Sequence, residues 1–369
     1  MTKHTALRAE HEALGASFTD FGGWDMPLKY ASELTEHKAV RSAAGIFDIS
    51  HMGEISVKGA DAAAFLDYAL AGRISAVAVG KAKYSLICNE DGGIIDDLIT
   101  YRLGEDEYLV VPNAGNADTV WGEFQARAEG FDVQLENQSA DTSLIAVQGP
   151  RAEEILRSVA DDDTAAMLEA LGYYAAQPGV LSGIEVLVAR TGYTGEDGFE
   201  LYVPNEKAAE LWRAVLAAGE PLGLTPCGLA SRDSLRLEAG MPLYGNELSL
   251  DVTPFEAGLG PVVALKTKER FVGRDALAAR KEQGKTKSLV GLKGAGRRAA
   301  RSGYAVLDAD GNEVGVVTSG APSPTLGYPV AMAYVPNELA EVGTELSVDL
   351  RGKPESFTVV ELPFYRREK

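Results

Sequence analysis

Residues Arg190–Leu201 read RTGYTGEDGFEL and lie between two runs of strand-forming residues. The preceding run is Ile184–Ala189 (IEVLVA). The following run, Phe199–Val203 (FELYV), alternates apolar and polar residues and shares residues 199–201 with the quoted stretch. Three glycines, spaced GxxGxxG, supply positions where no Cβ restricts the backbone. The pattern predicts a strand, a turn and a second strand, which together make a β-hairpin.

The charge of this turn excludes a phosphate-binding loop. Glu196, Asp197 and Glu200 bring negative charge where a phosphate cradle offers bare backbone N–H groups and a lysine. The glycine spacing also differs from that of the GxGxxG and GxxxxGK[ST] loops. A phosphate ligand is therefore not expected at this hairpin.

Strand alternation puts Glu200 and Tyr202 on the same face of the second strand. A carboxylate beside an aromatic ring can bind a flat heterocycle, because it accepts two parallel N–H bonds while the ring covers a face of the ligand. A solvent-facing glutamate on a half-exposed strand fits the same pattern. The hairpin alone leaves both interpretations open.

A second unusual strand is Gly92–Arg102, GGIIDDLITYR, which contains two adjacent aspartates. Neighbouring strand residues face opposite ways, so Asp96 and Asp97 cannot share one environment. Asp97 has the same parity as Ile99 and Tyr101, which predicts a carboxylate framed by apolar and aromatic groups. Such a group suits proton transfer or stabilisation of a transient cation. A structural role in the hairpin is the alternative.

The segment Gly228–Leu248, GLASRDSLRLEAGMPLYGNEL, begins with a predicted helix in which Arg232 and Arg236 are four residues apart. Asp233 and Glu238 are near enough to neutralise them in a helix-surface charge network. The alternative is that Arg232 points at a carbonyl or carboxylate of a ligand.

Composition indicates an ordinary globular protein of two or three domains. The 369 residues are 46% hydrophobic and 24% charged, and the net charge of −19 argues against a nucleic-acid-binding surface. No apolar run approaches the ~20 residues that span a membrane. The N-terminus, with Glu10 and Glu12, fits neither a secretory signal nor a transit peptide. We therefore expect a cytoplasmic protein without nucleic-acid or membrane partners.

Cysteine and histidine patterns give no sign of a metal. Cys88 and Cys227 cannot build a disulfide framework, no CxxC pair exists, and the four histidines lack metal-site spacing. His51 could serve in acid–base chemistry, but a hydrogen-bonded structural histidine is the simpler expectation.

Hydrophobic periodicity predicts an α+β fold. Helical patterns cover residues 33–44, 62–71, 117–128 and 207–218. Alternating runs at residues 83–89, 94–103 and 107–111 are separated by short turns, which favours antiparallel sheets with helices on one face. After about residue 285, short Val-rich strands and turns predict a small barrel or sandwich.

One segment reverses the charge of the chain. Lys266–Arg301 holds 12 Lys or Arg and 3 Asp or Glu, so the remaining residues carry 23 basic and 51 acidic side chains, a net charge of −28. The segment is either a well-solvated linker or a docking strip for an acidic partner, since opposite potentials speed encounter.

Several longer motifs follow one another along the chain. They are GGWDMP (Gly22–Pro27), GIFDISHMGE (Gly45–Glu54), GGIIDDLI, QGP (Gln148–Pro150), RTGYTGEDGFEL, RDSLRLEAGMPLYGNEL and VTSGAPSPTLG (Val317–Gly327). In this order they resemble the glycine cleavage T-proteins, the folate-dependent aminomethyltransferases, over essentially the whole chain. The resemblance implies a three-domain cloverleaf of antiparallel sheets with helices around a folate channel. Its domains would be residues 1–53 plus 143–280, an inserted domain at 54–142, and a C-terminal β-barrel at 281–369.

The resemblance also implies the reaction. A partner, the lipoylated H-protein, would bring an aminomethyl group on its lipoyl sulfur, and tetrahydrofolate would take the carbon with release of ammonia. Position by position, Asp97 would be the catalytic carboxylate and Glu200 would accept hydrogen bonds from the pteridine. The other folate-site positions would be Arg232, Tyr193, Asn113, Tyr84 and Met52. No metal is implied.

Two related activities are alternatives. Similar motifs occur in sarcosine and dimethylglycine oxidases, but their N-terminal flavin domain is not expected here, because the similar region starts within the first ten residues. A stand-alone folate-dependent demethylase would share most of these motifs. A non-catalytic folate-binding relative would carry a KGCYxGQE-type motif, whereas Cys227 lies in TPCGLAS.

Overall fold

A computed structural model describes residues 2–368, which form two compact units. The first unit comprises residues 2–69, Ile74–Tyr84 and Leu98–Arg232. The second comprises Leu70–Arg73, Ser85–Asp97 and residues 233–368. The three-domain division stays a prediction.

The elements as far as the ninth strand alternate between helix and strand. In chain order they are α1 (Arg8–Ala13), β1 (Ser17–Phe21), β2 (Trp24–Lys29), α2 (Glu33–Ser42), β3 (Ala44–Asp48), β4 (Ile55–Lys58), α3 (Ala62–Ala69), β5 (Ala82–Cys88), β6 (Ile94–Gly104), β7 (Glu107–Pro112), α4 (Ala117–Arg127), β8 (Gln134–Asn137) and β9 (Thr142–Gln148).

The remaining elements begin with two helices and end with strands alone. They are α5 (Ala152–Arg157), α6 (Asp162–Ala170), β10 (Ala176–Leu181), β11 (Ile184–Ala189), β12 (Gly198–Pro204), α7 (Asn205–Gly219), β13 (Leu224–Pro226), α8 (Leu229–Glu238), α9 (Arg274–Gln283), β14 (Lys287–Gly294), β15 (Ala305–Leu307), β16 (Glu313–Pro322), β17 (Pro329–Pro336), β18 (Glu345–Asp349) and β19 (Pro354–Val360).

A six-stranded sheet organises the first unit. Its order is β10-β11-β12-β9-β3-β13, antiparallel except for the parallel pair β13–β3. Strands β11 and β12 form the hairpin predicted from RTGYTGEDGFEL, with Leu187 opposite Tyr202. Phe199 and Leu201 lie in a core that also contains Trp212 of α7. Because strand residues alternate, Glu200 and Tyr202 are on the other face, as predicted.

A second sheet contains the predicted meander. Its order is β5-β6-β7-β4-β8, and β7 is antiparallel to both β6 and β4. The bounds of β5, β6 and β7 differ by one residue or less from the predicted runs at each end. The helices α3 and α4 contact one another through Phe65 and Phe124, whose ring centroids are 5.4 Å apart in an edge-to-face arrangement.

The second unit ends in a closed barrel of order β14-β17-β16-β15-β18-β19. All its pairs are antiparallel, and β14 closes the barrel against β19. Its interior is filled by apolar side chains such as Leu292, Val306 and Phe357. A barrel rather than a sandwich therefore follows the α+β region, and the predicted fold class is confirmed.

Three predicted helix boundaries differ from the structure by two residues. The helix predicted to reach residue 44 ends at Ser42, because Ala43 leaves helical geometry (φ −142°, ψ −93°) and Ala44 begins β3. The helix predicted over residues 62–71 ends at Ala69, and the helix predicted from residue 207 begins at Asn205. Among residues 2–368, no helix is both long enough and apolar enough to cross a membrane.

Candidate functional site

Gln148 shapes the glycine-rich hairpin. A Cβ on Gly192 would lie 2.0 Å from the Gln148 side-chain oxygen, and one on Gly198 would lie 2.5 Å from its nitrogen. The Thr194 hydroxyl donates to Gln148 Oε1 at 2.9 Å. Gly195 has φ +82°, the left-handed conformation that favours glycine. The three glycines and the QGP motif therefore serve one compact turn.

Two of the three acids in the hairpin are neutralised by arginines. Glu196 lies 3.0 Å from Arg41 Nη1, and the side chains of this pair are largely buried. Asp197 lies 2.6 Å from Arg190, which also contacts Glu153 at 2.9 Å. These ion pairs tie the turn to the rest of the first unit, and their charges have a structural role.

Glu200 has a different environment, built from hydroxyl groups. The Thr191 hydroxyl donates to Glu200 Oε2 at 2.5 Å, and the Tyr101 hydroxyl donates to the same oxygen at 3.4 Å. The Tyr202 hydroxyl in turn donates to that of Tyr101 at 3.4 Å. Glu200 is partly exposed and is held by these hydroxyl groups, so it differs from a glutamate that contacts solvent alone.

Arg232 supplies the positive charge near Glu200. Its guanidinium carbon lies 4.8 Å from the centre of the Tyr193 ring, within cation–π range. Burial raises the pKa of the Glu200 carboxyl, while the hydrogen bond from Thr191 and the charge of Arg232 oppose that rise. The structure therefore brings together three of the predicted folate-site residues.

His51 is buried in the same unit and is 3% exposed. Its Nδ1 atom has no hydrogen-bond partner among residues 2–368, so the expected hydrogen-bonded structural role was wrong for this nitrogen. The pKa of His51 is lowered to about 4, mainly by burial and also by the nearby positive charge of Arg232. The negative charge of Asp48 acts in the opposite direction. His51 is therefore neutral at pH 7.

The other predicted folate-site residues lie on loops and on a strand. The Gly53 N–H donates to the Pro112 carbonyl at 3.0 Å, which joins the segment after Met52 to the segment before Asn113. Tyr84 lies in β5, and all three predicted residues are partly exposed. Within the described chain these three side chains are not among the partners of Glu200.

The adjacent aspartates of β6 differ as strand alternation predicts. Asp96 is 0% exposed, whereas Asp97 is partly exposed. Burial, then the charges of Asp96 and Asp97, raise the pKa of Tyr244, whose hydroxyl donates to the Ile94 carbonyl at 3.0 Å. Asp97 is therefore the more accessible of the two side chains.

Arg236 is the buried centre of an ion-pair network in the second unit, in which Asp233 is exposed. The Arg236 side chain is 1% exposed and contacts Asp233 at 2.7 Å and Glu247 at 3.0 Å. It also donates to the Ser319 hydroxyl at 2.8 Å. The predicted pairing of Arg236 with Asp233 is confirmed, but the guanidinium is buried and also pairs with Glu247, so the network is not confined to the helix surface.

The basic segment Lys266–Arg301 is folded and contains α9 and β14, so its interpretation as a linker was wrong. Lys268 is buried and donates to two backbone carbonyls at 2.5 and 2.8 Å. Three arginines of the segment, Arg297, Arg298 and Arg301, are exposed. The segment thus contains a buried structural cation, Lys268, and exposed cations, among them these three, which we call the exposed arginine cluster.

The hydroxyl groups that donate to Glu200 were not predicted from the sequence. Thr191 is within the conspicuous hairpin, and a polar residue two positions after a strand was the available signal. Tyr101 was placed on one strand face with Asp97, but its contact with Glu200 joins two sheets that are distant in sequence. No group of three or more His, Cys, Asp or Glu residues in the described chain is arranged to hold a metal.

Comparisons with known proteins cover the whole chain. A family model described as "GCVT N-terminal domain" matches residues 7–267, and one described as "Glycine cleavage T-protein C-terminal barrel domain" matches residues 287–366. Aminomethyltransferase from Corynebacterium jeikeium is 59% identical, with 100% of this chain and 99% of that protein covered. Aminomethyltransferase from Streptomyces avermitilis is 57% identical, with 100% and 98% covered.

A solved structure is also similar along the full length. It is the crystal structure of glycine cleavage system aminomethyltransferase T from Bartonella henselae, with a TM-score of 0.92 and 39% identity. The match covers 100% of each chain.

Proposed function

The chain belongs to the glycine cleavage T-protein family and is an aminomethyltransferase, and we propose that its donor is the lipoyl arm of an H-protein. The donor carbon lies between the lipoyl sulfur and an amino group. Its C–S and C–N bonds break, tetrahydrofolate accepts the carbon through two nitrogens, and methylenetetrahydrofolate, ammonia and the dihydrolipoyl arm are formed. The full-length agreement with aminomethyltransferases is the observation that carries this proposal.

Glu200 is the proposed anchor for the pteridine ring of tetrahydrofolate. Thr191 and Tyr101 both donate to Oε2, and Oε1 takes no part in these two hydrogen bonds. A pteridine presents a 2-amino group and a ring N–H side by side, which is the pattern a carboxylate accepts. The hydroxyl donors and Arg232 oppose the rise in the carboxyl pKa that burial causes, so they favour the anion that this role requires.

Arg232 and Tyr193 are proposed to complete the recognition of the acceptor. Their cation–π contact holds the guanidinium in place, which limits the rotamer freedom that binding would otherwise remove. Arg232 would donate to the folate, and Met52, Asn113 and Tyr84 would line its pocket. Their partial exposure leaves side-chain surface for such contacts.

Asp97 is the proposed catalytic carboxylate. As the thiolate leaves, positive charge develops on the carbon and nitrogen of the aminomethyl group. A carboxylate held nearby stabilises that charge and can hold or move a proton of the folate amine. Partial exposure of Asp97, beside the fully buried Asp96, supports this assignment. The one-carbon chemistry itself is supplied by tetrahydrofolate.

The exposed arginine cluster, Arg297, Arg298 and Arg301, is the proposed docking strip for an acidic face of the H-protein. Replacing all three with glutamine should raise the Michaelis constant for H-protein and flatten its salt dependence, because screening weakens only charge-dependent encounters. Binding of monoglutamyl tetrahydrofolate should stay the same. If the triple variant handled H-protein like the parent across a salt series, the docking role would be excluded.

We also propose a cytoplasmic location. The similar proteins are bacterial glycine cleavage enzymes, and Cys88 and Cys227 are both buried, which suits a reducing compartment. Fractionation of cells should recover the enzyme with the cytoplasmic fraction, and recovery from another compartment would contradict the proposal.

The donor assignment is tested by measuring turnover with two kinds of donor. With aminomethyl-loaded, lipoylated H-protein and tetrahydrofolate, the enzyme should form methylenetetrahydrofolate and ammonia in equal amounts. Free methylated amines and sulfonium compounds are the control donors, and they should support far less turnover. Equal turnover with these compounds in the absence of H-protein would instead identify a folate-dependent demethylase.

A further inference from the structure

A cavity of about 450 Å³ lies in the first unit, against strands β4, β7 and β12. Its walls include aliphatic and aromatic side chains, among them Leu109, Tyr108 and Tyr202. Its charged lining residues are Glu54, Glu107, Glu136, Asp141, Glu206 and Lys58. Lys58 pairs with Glu107 at 2.7 Å, so the rest of the charged lining is acidic. The cavity therefore repels anions and favours a cation with an apolar body.

Glu54 is a buried lining residue of this cavity. Glu54 directly precedes β4, Ser56 and Lys58 lie in it at alternate positions, and all three line the cavity. Lys58 is exposed at one end of this row, whereas Glu54 is 1% exposed. The row thus runs from solvent to a buried carboxyl group.

The Glu54 carboxyl is unusual because neither of its oxygens has a hydrogen-bond partner among residues 2–368. Most buried polar groups in folded proteins are hydrogen-bonded, and an exception requires an explanation. Burial raises the pKa of Glu54 well above its ordinary value. Glu200 shows the contrast, since hydroxyl donors and an arginine surround that carboxylate. What Glu54 lacks is a donor, and a positively charged donor would serve it best.

We propose that this cavity binds a small aliphatic ammonium ion, with Glu54 as its counter-ion. The ammonium group would donate to both carboxylate oxygens, and such charge-assisted hydrogen bonds are stronger than neutral ones. The carbon chain of the ligand would pack on Leu109 and on the rings of Tyr108 and Tyr202. A metal ion is a poorer fit, because no group of three potential ligands is arranged for one in the described chain.

The test is calorimetric titration with n-butylammonium chloride, with 1-butanol as the uncharged ligand of similar size. The parent enzyme should bind the cation about tenfold or more tightly than the alcohol, because only the cation stabilises the ionised form of Glu54, which burial otherwise disfavours. Equal affinity for the two ligands, or no saturable binding of the cation, would overturn the proposal without any variant being needed.

A matched pair of variants then locates the site. Glu54→Gln keeps the shape of the side chain and removes its charge, and it should weaken binding of n-butylammonium about tenfold or more. Glu185→Gln removes an exposed charge on β11 and should leave that binding unchanged. Thermal melting of both variants checks that they fold. If Glu54→Gln bound the cation like the parent, Glu54 would not be the counter-ion.

Discussion

Two arginines one helical turn apart in α8 serve different regions of the molecule. Arg232 is partly exposed and belongs to what we call the Glu200 cluster, formed by Tyr101, Thr191, Tyr193, Glu200 and Arg232. Arg236 is 1% exposed and belongs to the Arg236 network, formed by Asp233, Arg236, Glu247 and Ser319. In the sequence SRDSLR both look like members of one charge network.

The difference between the two regions is how their charges are satisfied. In the Arg236 network a guanidinium and the 0% exposed Glu247 side chain pair directly, so the network has little surface for a ligand. In the Glu200 cluster hydroxyl groups and an aromatic ring hold the carboxylate and the guanidinium while both remain partly exposed. Glu200 and Arg232 therefore leave polar surface for a ligand, whereas Arg236 and Glu247 leave almost none.

The largest expected effect is on turnover, at the adjacent aspartates of β6. Asp97→Asn removes the charge at nearly constant volume, and turnover should fall about 10²–10⁴-fold, the usual range for general acid–base groups. Tetrahydrofolate affinity should change far less. Asp96→Asn is the control, because Asp96 is fully buried and should affect the free energy of unfolding more than turnover. A larger loss of turnover in Asp96→Asn would reverse the two assignments.

The next effect is on stability, in the Arg236 network. Arg236→Leu leaves Glu247 buried without its cation, and loss of one partner of a buried ion pair typically costs about 3–5 kcal/mol. Urea unfolding should register this loss, whereas Arg232→Leu should cost less stability and weaken tetrahydrofolate binding. The double variant Arg236→Leu/Glu247→Leu should recover part of the loss. Equal stability of Arg236→Leu and the parent would show that the network is not structural.

A smaller effect concerns acid stability near the Glu200 cluster. His51 has a pKa of about 4 in the folded chain, below the ordinary value of about 6.5, so the unfolded chain binds its proton first. The free energy of unfolding therefore falls as pH drops from 6.5 to 4, by about 3 kcal/mol from this residue. His51→Gln should lose correspondingly less stability over that range.

Unfolding by urea at a series of pH values measures the His51 effect. Taking the difference between parent and variant removes the contribution of groups common to both, including Glu200, whose raised pKa acts in the opposite direction. Parallel curves for parent and variant between pH 4 and 6.5 would show that His51 does not limit acid stability.

Local pattern predicted much of the fold. The hairpin of β11 and β12, the meander of β5 to β7 and the apolar face of α7 depend on spacing within a short segment, and all were confirmed. The helix end at Ser42 was missed because the following residues enter a buried strand. There, pairing within the sheet outweighed a local signal that favoured a longer helix.

The partners of polar residues were harder to predict than the elements that carry them. The sequence showed three acids in one turn, but contacts decide their roles, because Arg41 and Arg190 neutralise Glu196 and Asp197 whereas Thr191 donates to Glu200. Arg41 lies far from the hairpin in sequence, so no local pattern connects them. Among the residues named by family resemblance, Arg232 lies against the Tyr193 ring and its charge acts on Glu200, and the folate-binding role of all of them stays a prediction.

Calorimetric titration of tetrahydrofolate into Glu200→Gln tests most directly whether the Glu200 cluster is the pteridine site. An amide donor opposite pteridine N–H donors leaves a mismatch that costs about 1–3 kcal/mol, so affinity should fall by up to about a hundredfold. Glu196→Gln, the same substitution in the same hairpin at an acid paired with Arg41, should bind tetrahydrofolate like the parent. Unchanged affinity in Glu200→Gln, or an equal loss in both variants, would contradict the assignment.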